Sequence, residues 1–337
     1  ATLGPGVPVV EGVGYPAAWS PAGVLMYREA AEEPNRTLVR VSRDGASQEV
    51  VDPSWTEELG SIALSPDGRQ LAVAIRDEQG EDLWVKQLDR GPATRLTSSP
   101  GLDRRPSWSP DGTRVLFPSD RGETRSLYAV RADGVGEAEL VLAVEKQIDQ
   151  ALWSPDGEWL IYRVGATAGV RDIFARRRSG DSATIAVSAH PEADEDSPAI
   201  SPDGRWIAYV SNESGNEEIY VRPFPNTQDR RVQVSSGGGV APAWSPDGDQ
   251  LYYVSLANGE DPLVSAFVRT GGSSFTVDST VVLFPAGNFI LNNRHARYLV
   301  TPDGRFLIAR REAAAAVRLD VVLMQGLLGE LAQKIAD

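Results

Sequence analysis

Trp244-Ser245-Pro246-Asp247-Gly248, followed by the apolar run Leu251-Tyr252-Tyr253-Val254, is the stretch whose reading decides the architecture. Proline presets φ at the second position of a reversal, Asp accepts local backbone hydrogen bonds at the third, and Gly supplies positive φ at the fourth. The tetrapeptide therefore encodes a tight turn between two strands. The same turn recurs as Ser20-Pro21-Ala22-Gly23, Ser65-Pro66-Asp67-Gly68, Ser109-Pro110-Asp111-Gly112, Ser154-Pro155-Asp156-Gly157, Ser201-Pro202-Asp203-Gly204 and Thr301-Pro302-Asp303-Gly304. With the quoted copy included, the spacings are 45, 44, 45, 47, 44 and 56 residues. A period in the mid-forties built from short β-runs is the signature of a β-propeller, one four-stranded blade per repeat. A large apolar residue precedes each turn: Trp19, Leu64, Trp108, Trp153, Ile200, Trp244 and Val300. Four of the eight tryptophans fall at this one register, which reads as a packing slot shared by neighbouring blades. In the first copy Ala22 loses the Asp hydrogen bonds, so that turn is expected to be looser.

Outward from the turns, each repeat supplies short strands. In the second repeat these are Ser61 to Leu64, Gln70 to Ile75, Asp82 to Leu88 and Thr94 to Thr97, with alternation suited to half-buried strands. The sixth repeat is longer, with Leu263 to Arg269, then Gly271-Gly272-Ser273, then an outer strand at Thr280 to Phe284. The last repeat offers Arg297 to Val300, Phe306 to Arg310 and Leu319 to Met324. After it, Leu327, Leu328, Leu331 and Ile335 recur at three- and four-residue intervals, which predicts an amphipathic helix over about 325–336. The last repeat thus lacks a fourth strand, and the orphan run Val7-Pro8-Val9-Val10 lacks a repeat. The expectation is an all-β, seven-bladed propeller forming one domain over 1–337, closed by Pro8 to Val10 and ending in a short helix. A six-bladed ring with one stray repeat is the alternative.

The formal net charge is −14, and Lys86, Lys146 and Lys334 are the only lysines. With no basic stripe, nucleic acid and anionic membrane surfaces are disfavoured as partners. The absence of cysteine excludes disulfides and thiolate chemistry. No apolar run reaches the length of a membrane span, and no charged-then-apolar leader opens the chain. Because position 1 is Ala, the sequence reads as a mature or excised fragment, any leader or anchor lying upstream.

Strand alternation places all the Ser-Pro-Asp-Gly turns on one face of a propeller and the second-to-third loops and blade connections on the other. That second face collects varied, charged segments, and a binding site is expected there. Arg105, Gln150, Ser197 and Arg297 enter inner strands and are expected to ring the mouth of the central channel, with His295 beside Arg297 placed to contact an anion. Glu192, Asp194, Glu195 and Asp196 offer oxygen ligands of the kind calcium uses, but lack the spaced glycine and distal glutamate of a calcium loop. His190 and His295, the only histidines, have no spacing that pairs them with a nucleophile. Ser235-Ser236-Gly237-Gly238-Gly239 lacks the lysine and following helix of a phosphate cradle, and no G-x-S-x-G, H-E-x-x-H or kinase motif occurs. The expectation is a noncatalytic chain without cofactor or metal that binds a protein, a peptide or a small acidic ligand.

The run Ile200-Ser201-Pro202-Asp203-Gly204-Arg205-Trp206-Ile207-Ala208-Tyr209-Val210-Ser211-Asn212-Glu213-Ser214-Gly215, continuing through Glu218 to Pro225 and Val232 to Ser235, resembles the TolB-like (WD40-like) propeller repeats. More narrowly it resembles the extracytoplasmic C-terminal propeller of certain bacterial serine/threonine protein kinases. The segment Val221-Arg222-Pro223-Phe224-Pro225 carries most of that likeness, and Val7 to Gly12, Thr94 to Thr97 and Leu319 to Leu331 extend it. Where the family's closing helix carries Asn-Trp-Phe, this chain has Gln325-Gly326-Leu327. The resemblance implies an extracytoplasmic sensor or interaction module, and it brings no catalytic residues. An accessory propeller of a hydrolase, as in prolyl peptidases, and a propeller enzyme with a channel-bound metal are the alternatives.

Overall fold

The computed structural model describes residues 13–19, 25–29, 36–311 and 321–324, except 54, 56–58, 78–79, 90, 166–169, 180–182, 229–230, 258, 260, 273 and 287–297. The chain divides into two compact units, Arg36–Arg311 and a smaller one made of Ala1–Asn35 with Glu312–Asp337, where the repeats alone suggest a single domain. In the smaller unit, β1 (Val13–Trp19) pairs with β2 (Leu25–Glu29), and β2 pairs in turn with β27 (Val321–Met324), all antiparallel.

The larger unit holds six four-stranded antiparallel blades. Blade 1 contains β5 (Leu59–Leu64), β6 (Gln70–Asp77), β7 (Gly80–Gln87) and β8 (Thr94–Arg95). Blade 2 contains β9 (Ser107–Trp108), β10 (Arg114–Ser119), β11 (Ser126–Arg131) and β12 (Glu139–Leu142). Blade 3 contains β13 (Ile148–Trp153), β14 (Trp159–Val164), β15 (Asp172–Arg177) and β16 (Thr184–Ser188). Blade 4 contains β17 (Glu195–Ile200), β18 (Trp206–Ser211), β19 (Glu218–Pro223) and β20 (Val232–Gln233). Blade 5 contains β21 (Gly239–Trp244), β22 (Gln250–Ser255), β23 (Pro262–Gly271) and β24 (Ser274–Pro285). Blade 6 is assembled from both ends of the unit: β25 (Tyr298–Val300) and β26 (Phe306–Arg311) are completed by β3 (Arg36–Val41) and β4 (Gln48–Val50).

This assembly corrects the expectation of seven blades. Turn counting assigns β3 and β4 to the first repeat, yet β3 lies along β26 in continuous register from Phe306↔Val41 to Arg311↔Arg36. The ring then closes between blade 6 and blade 1, where Leu38, Leu307 and Ala309 pack with Ile62, Leu71 and Val73 in one core cluster. The first of the seven turns falls between β1 and β2, in the other unit, so it adds no blade to the ring. Pro8 to Val10, expected to close the ring, and 325–336, expected to be helical, lie outside the described residues; no helix occurs among the described ones.

Core positions follow from each strand's place in its blade. Second strands are covered on both faces by neighbouring blades, so they read as unbroken apolar runs: Leu71 to Ile75, Trp206 to Val210 and Leu251 to Val254 are all buried. The remaining clusters fill the other junctions, Phe117 and Val130 packing with Ala72 and Leu83, and Tyr209 with Ile161 and Ile173. Removing an apolar side chain from water stabilises the fold by about 1.5–3 kcal/mol when burial is complete. Outer strands are short and exposed, as at β8 and β20, except β24, which forms a long hairpin with β23 and accounts for the extended sixth repeat.

The turns are self-contained. Ser65 Oγ donates to Asp67 Oδ1 at 2.6 Å and accepts from Gln70 N at 2.9 Å, while Gly68 N donates to Ser65 O at 2.9 Å. Gly68 has φ of 71°, and a Cβ there would stand 2.8 Å from Pro302 Cδ in the turn of blade 6. Glycine is required at that site both for its backbone angle and for its lack of bulk.

Candidate functional site

The inner strands of the six blades enclose a central channel of about 810 Å³. Its turn end mixes apolar and polar residues. Trp108 Nε1 donates to Ala63 O at 2.9 Å and Trp244 Nε1 to Ala199 O at 3.0 Å, so each indole ties its own blade to the one before it. Prolines of the turns, among them Pro66, Pro202 and Pro302, line the same end.

At the opposite end the inner strands lose their regularity. Register breaks fall between Leu59 and Ile62, Ile148 and Gln150, Asp196 and Ala199, and Val240 and Ala243. Arg105, Ser197 and Ala241 have φ of 51°, 51° and 57°. Each stands four positions before the Ser of its turn, and each precedes a proline. A left-handed backbone at a residue other than glycine costs on the order of 1–3 kcal/mol, and its return in one register of three blades marks the mouth as the strained end of the channel.

Charge is concentrated there too. Asp149 is met by Arg105 Nη1 at 2.7 Å, by Arg125 Nη1 at 2.7 Å and by Arg163. Arg105 Nη1 also donates to the Asp149 carbonyl at 2.6 Å. Asp196 continues the chain of charges, with Arg171 Nη1 at 2.8 Å and Arg163 Nε at 3.4 Å. Burial alone would raise the Asp149 carboxyl, but Arg105 and Arg163 outweigh it and hold the group well below the usual carboxylate range. These pairs span blades 2, 3 and 4 and lock the mouth's geometry across blade boundaries. Glu195 is different: it is fully buried, Ser211 Oγ and His190 N donate to it at 3.2 Å each, and burial pushes it up to about 7.

Arg105, Gln150 and Ser197 stand in the channel wall. His295 and Arg297 lie outside the described residues. Arg105 is ion-paired with Asp149. Its neighbour Arg104 also lines the channel, and its side chain has no hydrogen bond or ion pair among the described residues. In the acidic segment weighed for calcium, Asp194 and Asp196 are engaged by Arg171. Among the described residues no three His, Asp or Glu side chains gather as a metal site would require.

Six four-stranded blades around a channel, each opened by a Ser-Pro-Asp-Gly-type turn, define a propeller of the TolB type. The family model for the TolB beta propeller domain matches residues 16–193, more than half of the chain, and the chain belongs to that family. It is 28% identical over 210 residues to the protein TolB homolog of Chlorobium luteolum, covering 62% of this chain and 44% of that protein. It is also 26% identical over 188 residues to the "uncharacterized peptidase YuxL" of Bacillus subtilis, covering 44% and 28%. The matched region thus spans less than half the length of either relative. Among solved structures, a TolB from Agrobacterium tumefaciens superposes with a TM-score of 0.62 at 20% identity, covering 84% of this chain and 100% of that one. Puromycin hydrolase superposes at 0.53 with 15% identity, covering 85% and 56%. At those identities the structural likeness concerns the fold.

Proposed function

We propose that this chain is a noncatalytic interaction module that binds a peptide or protein segment at the charged mouth of its central channel. The observation that carries the reading is the Asp149 cluster, which fixes three arginines from two blades around one end of an 810 Å³ channel. A preorganised concavity with a few convergent polar groups is the usual form of a binding site. The likeness of residues 200–235 to kinase-linked propellers supports a finer reading, a sensor module on the extracytoplasmic side of a bacterial membrane.

The chain has no cysteine, so a single engineered thiol can be labelled selectively. Peptides selected from a displayed random library are expected to lose binding when Ser107→Cys, in the channel wall, carries a bulky maleimide. They are expected to keep binding when Arg69→Cys, at the exposed turn end, carries it. Equal binding to both labelled proteins, or a library from which nothing is enriched, would overturn the reading. A second reading, an accessory propeller that gates a hydrolase, is favoured by the similarity to the Bacillus subtilis peptidase. A hydrolase domain encoded in the same gene would separate it from the first.

A further inference from the structure

Among the described residues, one cation of the mouth has no partner. Arg104 N donates to Pro118 O at 3.3 Å, but the guanidinium, half-buried in the channel wall, makes no bond among the described residues and its Nε is buried without a partner. Burial and the nearby Arg125 both disfavour its charge. The acids closest to it are already engaged elsewhere. Asp149 holds three arginines, Glu81 pairs with Arg76 at 3.2 Å, and Asp120 accepts from Leu102 N at 2.6 Å. One repeat further on, Gln150 shares the channel wall with its Oε1 buried and unpartnered, and its amide nitrogen likewise makes no bond among the described residues.

An Arg104 guanidinium whose neighbouring acids are engaged elsewhere among the described residues can receive an oxyanion from outside. The volume argues for more than a bare ion, since 810 Å³ is within the range of sites that enclose ligands of many heavy atoms. Below the mouth the wall mixes apolar and polar residues, with Ile200 and Pro202 beside Ser65 and Ser107 among them. We propose that Arg104 receives the carboxylate of a short peptide lying in the channel. The proposal rests on the channel being the binding site, as read above.

The test is calorimetric titration with acetyl-Ala-Ala-Leu as the free acid, its C-terminal amide, and acetyl-Ala-Asp-Leu amide, with inorganic phosphate as competitor. The free acid is expected to bind about tenfold or more tightly than its amide, the preference that a charge-assisted pair supplies. Arg104→Gln is expected to erase that preference with an unchanged melting temperature, and Arg104→Lys to restore part of it. Strong binding of the Asp-containing amide would identify a side-chain carboxylate as the source and keep the assignment. Equal affinities for acid and amide, no binding of either acid, a preference that survives Arg104→Gln, or phosphate binding as tightly as the free acid would overturn it. If the Ser107 label blocks these peptides while Arg104→Gln does not alter their preference, the Arg104 assignment alone falls. If the labelled protein still binds them, the channel reading falls with it.

Discussion

The two ends of the same inner strands are built by opposite rules. At the turn end the turn hydroxyls are answered within a few residues, as Ser109 Oγ shows by donating to Asp111 Oδ1 at 2.6 Å and accepting from Arg114 N at 2.9 Å. At the mouth the partners come from other blades, Arg105 bonding both Ser61 Oγ and Asp149, each 44 positions away. The turn end is local, repeated and closed. The mouth is non-local, different in every blade and left with unmatched donors, which is what a scaffold needs if one face is to carry specificity while the other holds the ring together.

The largest effect that would sharpen this contrast is expected from Asp149→Ala. It removes the carboxylate that Arg105, Arg125 and Arg163 share, and breaking a buried ion pair from one side costs about 3–5 kcal/mol. Chemical denaturation should show it, and a loss below about 1 kcal/mol would mean that the mouth cluster is solvated rather than structural.

Next, Gly68→Ala should cost about 1–3 kcal/mol, since it combines a left-handed backbone with a collision against Pro302. Gly304→Ala, with φ of 76° and nothing within 4 Å of the added Cβ, isolates the backbone part alone. Equal losses in the two variants would break the claim that blade 1 and blade 6 abut. A smaller loss, about 1–2 kcal/mol, is expected from Ser109→Ala, which removes two hydrogen bonds from a single turn. Because the turns are self-contained, it should leave peptide binding at the mouth unchanged.

The subtlest expectation concerns pH. Glu195 titrates near 7 in the folded chain against an ordinary 4.5, so folding favours its protonated form. Its contribution to stability is complete below about 4.5 and fades as pH rises through 7. Asp149, held below its ordinary 3.8, acts in the opposite sense, its contribution being lost only as pH falls below that value. Melting temperatures between pH 5 and 8 should therefore decline, and Glu195→Gln should flatten the decline. An unchanged slope in that variant would show that another group is responsible.

The legible part of the molecule was the part whose physics is local. A Ser-Pro-Asp-Gly turn satisfies itself within six residues, so its seven copies can be recognised without knowing where any strand goes. Blade number could not be read in this way, because it depends on which strand completes the last blade, and β3 finds β26 only in three dimensions. The mouth shows the same limit more finely. Arg105, Gln150 and Ser197 could be placed at inner-strand entries from their register with the turns, but that register cannot say that Asp149 neutralises Arg105. Nor can it say that Arg104, the residue before it, shares the channel wall and has no partner among the described residues.

The closure of blade 6 sets an order of events for the chain as it is made. Gln48 and Arg310, 262 positions apart, meet across β4 and β26 through a 3.0 Å hydrogen bond. During synthesis from the N-terminus, β3 and β4 leave the ribosome before the five complete blades, and β3 waits without its partner β26 while those blades emerge and stack. Contacts this distant in sequence are the slowest to form, and a strand held in waiting is an open template for pairing with another chain. The seam of the ring should therefore be the last part of the propeller to gain protection from hydrogen exchange. A circular permutant that begins at Leu59 and joins β26 directly to β3 through a linker should fold faster than the natural order.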